Sequence, residues 1–191
     1  MENLVNKDNH ALKDKTGEKV TPKILTGLFS DYMGAEHAFT ALIQRGFKEE
    51  DINIIMSRET HKKVLVDHDV KTDVDDKTIL RHNIGAVVGG GTGALLGVLF
   101  SLGISLTIPG LGFVVGGAIL AGLSGAAAGA ITGGLVGALA GIGIPEKQAE
   151  IYQKGINEGK ILLGIHPRRE EEAREIEQTW KEDKVEAIYY Q

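Results

Sequence analysis

The sequence of 191 residues predicts an α+β protein whose sheet domain is interrupted by a long glycine-rich helical hairpin. Two observations lead to this prediction. The stretch 82–145 contains no Asp, Glu, Lys or Arg and holds 19 of the 26 glycines. On both sides of it, short apolar runs alternate with charged, amphipathic segments, which is the pattern of strands and helices that share one core. The chain therefore divides into a sheet domain in two halves and an apolar insertion.

The first half of the sheet domain predicts a strand, a helix and a second strand. The run 23–30 is apolar and ends at a turn residue, which is typical of a strand. Asp31 is a favourable N-cap for the helix that follows, and Gly46 is a suitable residue to end it. The run 51–57, DINIIMS, predicts the second strand. An acidic linker follows, in which residues 64–66 could form a further short strand.

The second half predicts two more helices and two more strands. A helix, a strand, a charged helix and a final strand are expected at residues 145–159, 160–166, 168–183 and 185–190. Without the insertion and the helix that trails it, the order is β-α-β-β-α-β, the split β-α-β or ferredoxin-like pattern. This pattern predicts a four-stranded antiparallel sheet with its helices on one face.

Glycines in the insertion recur every four residues, so each row falls on nearly one face of a helix. Such rows let two helix backbones approach closely, as small residues do in membrane helix pairs. The predicted helix-packing residues are Gly85, Gly89, Gly93, Gly97, Gly125, Gly129, Gly133, Gly137 and Gly141.

Pro109 and Gly110 are turn residues that divide the insertion into arms at 83–108 and 111–144. A bilayer core requires about 20 apolar residues, and both arms are longer than that. The first interpretation is therefore a transmembrane helical hairpin. The alternative is a glycine-zipper hairpin buried within a soluble oligomer, because the second arm is rich in Gly and Ala and only mildly hydrophobic.

The predicted domains are a disordered tail at 1–22, the first half of the sheet domain with its linker at 23–80, the glycine-zipper hairpin at 81–145, and the second half at 146–191.

Two segments of the sheet domain resemble a known family. The first is ILTGLFSDYMGAEHAFTALIQRGFKEEDINIIMS, and the second is IPEKQAEIYQKGINEGKILLGIHP, with Pro145, Glu150, Tyr152, Gly155 and Gly159. Together with the glycine-rich insertion, they are similar to the bacterial general stress protein family, which includes low-temperature-induced and predicted membrane proteins. The resemblance implies a non-enzymatic, stress-associated protein, and it supplies no catalytic residues.

Composition excludes several other functions. The chain has no cysteine, which excludes disulfides and thiol catalysis, and its net charge of -5 gives no basic excess for nucleic acid. Residues 89–94 fit a dinucleotide fingerprint, but the acidic residue required about 20 positions later is missing. We therefore expect no enzymatic activity, no cofactor, no metal, no nucleic-acid partner and no small-molecule substrate.

The function predicted from these features is that of a structural membrane protein. It would self-associate through the glycine rows, with membrane lipid and further copies of itself as partners. Lys71, Lys77 and Arg81 precede the hairpin and indicate a cytoplasmic-membrane location with both termini in the cytoplasm. The alternative is a soluble cytoplasmic multimer that acts as an interaction or ligand-binding module.

Overall fold

The computed structural model describes residues 23–67, 105–107, 112–117 and 127–191. They form an α+β protein. Its elements are β1 (Leu25–Phe29), α1 (Tyr32–Gln44), a 3₁₀ turn (Glu49–Asp51), β2 (Asn53–Ser57), α2 (Arg58–Asp67), β3 (Ser105–Thr107), β4 (Phe113–Gly116), α3 (Ala127–Gly141), α4 (Glu146–Asn157), β5 (Ile161–Ile165), α5 (Glu170–Glu182) and β6 (Val185–Tyr190).

The strands form one six-stranded sheet in the order β3-β4-β2-β5-β1-β6. All neighbouring strands are antiparallel. Strand β5 lies between β1 and β2, and β1 lies between β5 and β6. The β1-α1-β2 unit is therefore split, because β5 lies between its two parallel strands. The β5-α5-β6 unit is split in the same way by β1.

Helices cover both faces of this sheet. On one face, α1 and α5 pack against alternate strand residues such as Phe29 and Leu163. On the other, α3 and α4 pack against the intervening residues, such as Leu28 and Leu162. The expectation of helices on one face is therefore wrong. Strands β1, β2 and β5 are buried along their whole length, and the continuous apolar run ILLGI in β5 is typical of a strand covered on both faces.

Strand β1 makes a different contact on each face. Gly27 faces Trp180 of α5, and a Cβ at residue 27 would lie 2.7 Å from the indole Cε3, so only glycine leaves room for the ring. On the other face, the hydroxyls of Thr26 and Tyr152 share a hydrogen bond of 2.7 Å. Burial raises the pKa of the Tyr152 hydroxyl. This pair satisfies two polar groups that the α4 side of the core would otherwise leave unpaired.

The described part of the insertion is not a pair of helical arms. Strands β3 and β4 pair with each other and extend the sheet beyond β2. Helix α3 has 15 residues and is interrupted at Gly134, whose φ of 59° and ψ of -143° are not helical. In the described ranges, no helix combines the length and the apolarity needed to cross a bilayer.

The predicted fold class, a ferredoxin-like sandwich interrupted by a transmembrane helical hairpin, is therefore wrong in its insertion, and so is the predicted transmembrane helix. The physical reason is that an apolar run of this kind does not distinguish a helix from a buried strand. The β-branched and aromatic residues of FVVG favour a strand. The short strand suggested at residues 64–66 of the acidic linker is also a wrong prediction, because these residues belong to α2. Ser57 begins that helix by accepting a hydrogen bond from Thr60 N at 3.0 Å.

Candidate interaction edge

Strand β6 is an edge strand of the sheet. Among the described strands it pairs only with β1, and it is six residues long, VEAIYY. The strand at the opposite edge, β3, has only three residues. Valine, isoleucine and tyrosine favour extended backbone. A long edge strand presents a row of backbone donors and acceptors that another chain can use.

The hydrogen bonds to β1 show which backbone groups face outward. Ile24 N donates to Gln191 O at 2.9 Å, and Gln191 N donates to Ile24 O at 3.1 Å. Hydrogen-bonded and non-hydrogen-bonded pairs alternate along an antiparallel ladder. In the observed register, the N–H and C=O groups of Ile188 and Tyr190 therefore point away from β1. We call these the outward groups of β6.

Side chains hold β6 from both faces of the sheet. Val185, Ile188 and Tyr190 pack against the core under α1 and α5. Ala187 and Tyr189 pack against the core under α3 and α4. Each of these side chains is half-buried. The strand is therefore fixed in extended form before any partner binds, which lowers the entropy cost of adding a strand to it.

Opposite charges lie beside the two ends of β6. At its start, Lys160 Nζ lies 3.1 Å from Glu158 Oε2 and also binds Glu186, which gives two carboxylates around one ammonium. The hydrogen bond from Lys160 lowers the pKa of Glu186. At its end, Glu170 lies 3.9 Å from Lys23 and 2.8 Å from Arg174, which gives two cations around one carboxylate. We call these groups the acidic triad and the basic triad.

The turn that starts β6 is anchored on α1. Lys184 has a φ of 57°, a left-handed conformation that few residues other than glycine adopt. Its Nζ lies 3.0 Å from Asp31 Oδ2, and its carbonyl oxygen accepts a hydrogen bond of 3.0 Å from Ser30 Oγ. The preceding residue, Asp183, is buried and binds His37 Nδ1. These contacts fix the point at which the chain enters the edge strand.

Replacement of Asp31 by alanine is expected to cost about 1 kcal/mol of stability at neutral pH, because Asp31 Oδ1 accepts from Gly34 N at 2.9 Å and caps α1. The Gly34 N–H and Lys184 lower the pKa of Asp31 below its ordinary 3.8. A carboxylate whose pKa falls on folding stabilises the fold above its unfolded pKa, and the contribution is lost as pH falls through the folded value.

Urea unfolding of the wild type and Asp31→Ala at neutral and at strongly acidic pH tests this expectation. The difference in free energy between the two proteins should shrink in acid. Asp31→Asn is the matched control, because asparagine keeps the cap and loses only the charge. A difference for Asp31→Ala that is the same at both pH values would show that the ionised carboxylate is not what stabilises the turn.

A second surface feature is a groove of about 350 Å³ on α3 and α4. Its lining mixes one apolar residue with polar and charged ones: Val136, Glu150, Gln153, Lys154, Asn157 and Glu158. The charged side chains in this lining are exposed. Within the described ranges, no three His, Asp or Glu side chains come close enough together to hold a metal ion.

The site residues predicted from the sequence lie elsewhere. Gly129, Gly133, Gly137 and Gly141 are in α3, where the break at Gly134 interrupts their row. Gly137 is half-buried and Gly141 is exposed. Outside the described residues lie Gly85, Gly89, Gly93, Gly97, Gly125, Pro109 and Gly110, as do the tail at 1–22 and most of the acidic linker. The helix-packing role of these glycines stays a prediction.

Comparisons with known proteins do not identify the chain: no family model, no curated protein and no solved structure matches it. The resemblance to the general stress protein family therefore stays a hypothesis. The geometry of the edge strand is the basis for the function proposed below.

Proposed function

We propose that the protein is a binding module rather than an enzyme, and that it binds a protein partner by accepting an additional strand at β6. The observation that carries this proposal is the strand itself. It is fixed on both faces, pairs on one side only among the described strands, and directs the outward groups of Ile188 and Tyr190 away from β1. Strand addition to an exposed sheet edge is a recurrent mode of peptide recognition.

The energetics of strand addition agree with this geometry. Each outward residue offers one donor and one acceptor, and each hydrogen bond made to it contributes about 1 kcal/mol net. Two of the devices that normally protect an edge, an exposed charge at Glu186 and a bulge where the register on β1 shifts, lie near the start of the strand, and the strand has no proline. Affinity would come from the backbone, and selectivity from the side chains that neighbour Tyr189 and Tyr190.

This proposal develops the alternative predicted from the sequence, an interaction module that forms multimers in the cytoplasm. The contact surface differs from the one expected, because it is a sheet edge and not a pair of glycine-faced helices. Membrane lipid is not part of the proposal.

A labelled peptide of residues 185–191, VEAIYYQ, is the probe for this function. Fluorescence anisotropy should show that it binds the full chain, and that Ile188→Pro weakens binding by about tenfold or more. Proline removes the outward N–H of residue 188, which is not used by β1, so the fold tolerates it better than it would at an inward position.

Ile188→Val is the matched control, because it keeps the N–H and most of the side chain and should bind as the wild type does. Fluorescence of Trp180, the sole tryptophan, reports that each variant is folded. No binding of the peptide to folded wild type, or equal binding to all three proteins, would disprove strand addition at β6.

A further inference from the structure

We infer that His37 and Met33 of α1 form a binding site for a soft metal ion, Cu⁺, and that Asp183 orients the histidine for it. The inference is independent of strand addition at β6. It rests on a buried carboxylate behind an exposed imidazole, and on an exposed thioether one helical turn away.

A buried carboxylate holds the imidazole of His37. Asp183 caps the end of α5 and its side chain is 6% exposed, whereas the side chain of His37 is 73% exposed. Asp183 Oδ1 binds His37 Nδ1, and Oδ2 has no hydrogen-bond partner in the described part of the chain. Because an ionised carboxylate only accepts hydrogen bonds, Nδ1 carries the proton, and the lone pair of the neutral ring is then on Nε2. Histidines that bind metals are typically supported by a carboxylate in this way.

Contacts with Asp183 place the ring over the first turn of α1. Side chains of a helix lean toward its N-terminus, so each residue covers the turn that precedes it. The backbone of Asp183 lies against this turn, since a Cβ at Gly34 would clash with the Asp183 carbonyl oxygen. His37 Nδ1 reaches the carboxylate of the same residue. The ring therefore lies beside Met33, with its Nε2 edge toward solvent.

Met33 supplies the second ligand. It is 54% exposed, and among the described residues only Ile151 is a comparably exposed large apolar side chain. Met33 belongs to neither core cluster, so packing does not account for it. Residues four apart on a helix have Cβ atoms about 5–6 Å apart, which lets the Met33 thioether and His37 Nε2 meet at one ion.

The ligand set favours Cu⁺ over harder ions. Thioether sulfur is a soft ligand that selects Cu⁺, whereas Mg²⁺ and Ca²⁺ prefer carboxylate and carbonyl oxygens. Cu⁺ also binds with few ligands, so a pair of side chains suffices although the described residues offer no set of three His, Asp or Glu. Asp31 and Asp183 outweigh the one ammonium beside this turn, that of Lys184, which is bound to Asp31. The local charge therefore favours a cation.

Titration of Cu⁺ into the full chain tests the site, with ascorbate as reductant and the coloured chelator bicinchoninate as competitor. Met33→Leu and His37→Gln should each weaken binding by about tenfold or more. Both side chains are exposed, so both variants should fold, which the fluorescence of Trp180 reports. His166→Gln is the matched control, because His166 is also exposed but has no methionine four residues away. It should bind Cu⁺ as the wild type does.

Asp183→Asn tests the positioning role of the carboxylate. Asparagine keeps the size of the side chain and loses its charge, so Cu⁺ binding should weaken by about tenfold. Nitrogen-15 NMR of the imidazole separates this role from a purely structural one. Neutral His37 should carry its proton on Nδ1 in the wild type and in Met33→Leu, and this tautomer should become less populated in Asp183→Asn.

Three outcomes would overturn the inference. The first is equal affinity for Cu⁺ in the wild type, Met33→Leu and His37→Gln. The second is a loss in His166→Gln as large as that in His37→Gln, which would indicate binding to surface histidines in general. The third is a loss in His37→Gln alone, which would remove the thioether as a ligand. None of them bears on strand addition, because the site has no residue in β6.

Discussion

Replacement of Trp180 by alanine is expected to destabilise the protein by about 4 kcal/mol, the largest loss for any single side chain considered. Trp180 is completely buried on α5. Its ring meets Phe29 edge to face, with 5.5 Å between the ring centroids and 81° between the ring planes. Gly27 of β1 leaves space for it. Alanine would remove the contact between α5 and the centre of the sheet and leave a cavity that the surrounding strands cannot fill.

Trp180→Phe is the matched control for this variant. It keeps an aromatic ring at the position and removes the indole Nε1, which is buried without a hydrogen-bond partner in the described part of the chain. Removal of an unpaired buried donor offsets part of the lost packing, so we expect a cost of about 1 to 2 kcal/mol. Circular dichroism during urea unfolding measures both variants. The assigned packing would be ruled out if Trp180→Ala lost less free energy of unfolding than Trp180→Phe.

Replacement of Gly117 by alanine is expected to cost about 3 kcal/mol or more. Gly117 follows β4 and has a φ of +89°, which is unfavourable for alanine. An added Cβ would also lie 2.2 Å from the carbonyl oxygen of Ile52, which is backbone and cannot rotate away. The substitution should therefore separate the end of β4 from the start of β2.

Gly46→Ala provides the reference for this prediction. Gly46 has a similar φ of +83°, but a Cβ there would meet nothing within 4 Å. Its cost, about 1 kcal/mol, measures backbone strain alone. The excess for Gly117→Ala in thermal or urea unfolding then reports the contact with Ile52. If the glycine-rich stretch formed helical arms apart from the sheet, Gly117→Ala would cost less than Gly46→Ala, because alanine is favoured over glycine in a helix.

Local signals in the sequence were sufficient for most elements of the sheet domain. Asp31 caps α1 as predicted. Gly46 and Gly159 follow helix ends with φ values of 83° and 96°, where glycine is favoured. Strands β1, β2, β5 and β6 lie within their predicted runs. These elements are specified by caps, turns and periodicity, which act over a few residues and can be read without knowledge of the fold.

The glycine-rich insertion was misinterpreted because its pattern has two physical explanations. A four-residue repeat of glycine favours helix packing, and α3 does include part of that repeat. However, residues 113–116 pair with the edge of β2, residues 105–107 pair in turn with 113–116, and this pairing decides their conformation. That competition is tertiary, so apolar length and glycine spacing do not reveal it.

The candidate site was missed for a related reason. The strand-forming run VEAIYY was recognised, but the order of strands determines that β6 is at an edge, and that order is a property of the whole fold. Lysine is not a residue type that predicts a left-handed backbone, so the conformation of Lys184 could not be inferred from the sequence. The triads at the two ends of β6 combine residues far apart in sequence, such as Lys23 with Glu170. Only the packed structure brings them together.

Amide hydrogen exchange along β6 is the most direct test of the claim that this edge accepts a strand. The inward amides of Ala187, Tyr189 and Gln191 should be protected with and without the 185–191 peptide, because they bond to β1. The outward amides of Ile188 and Tyr190 should exchange fast in the protein alone and become protected when the peptide is added. Outward amides that stay unprotected in the presence of the peptide, while the inward amides remain protected, would contradict the account.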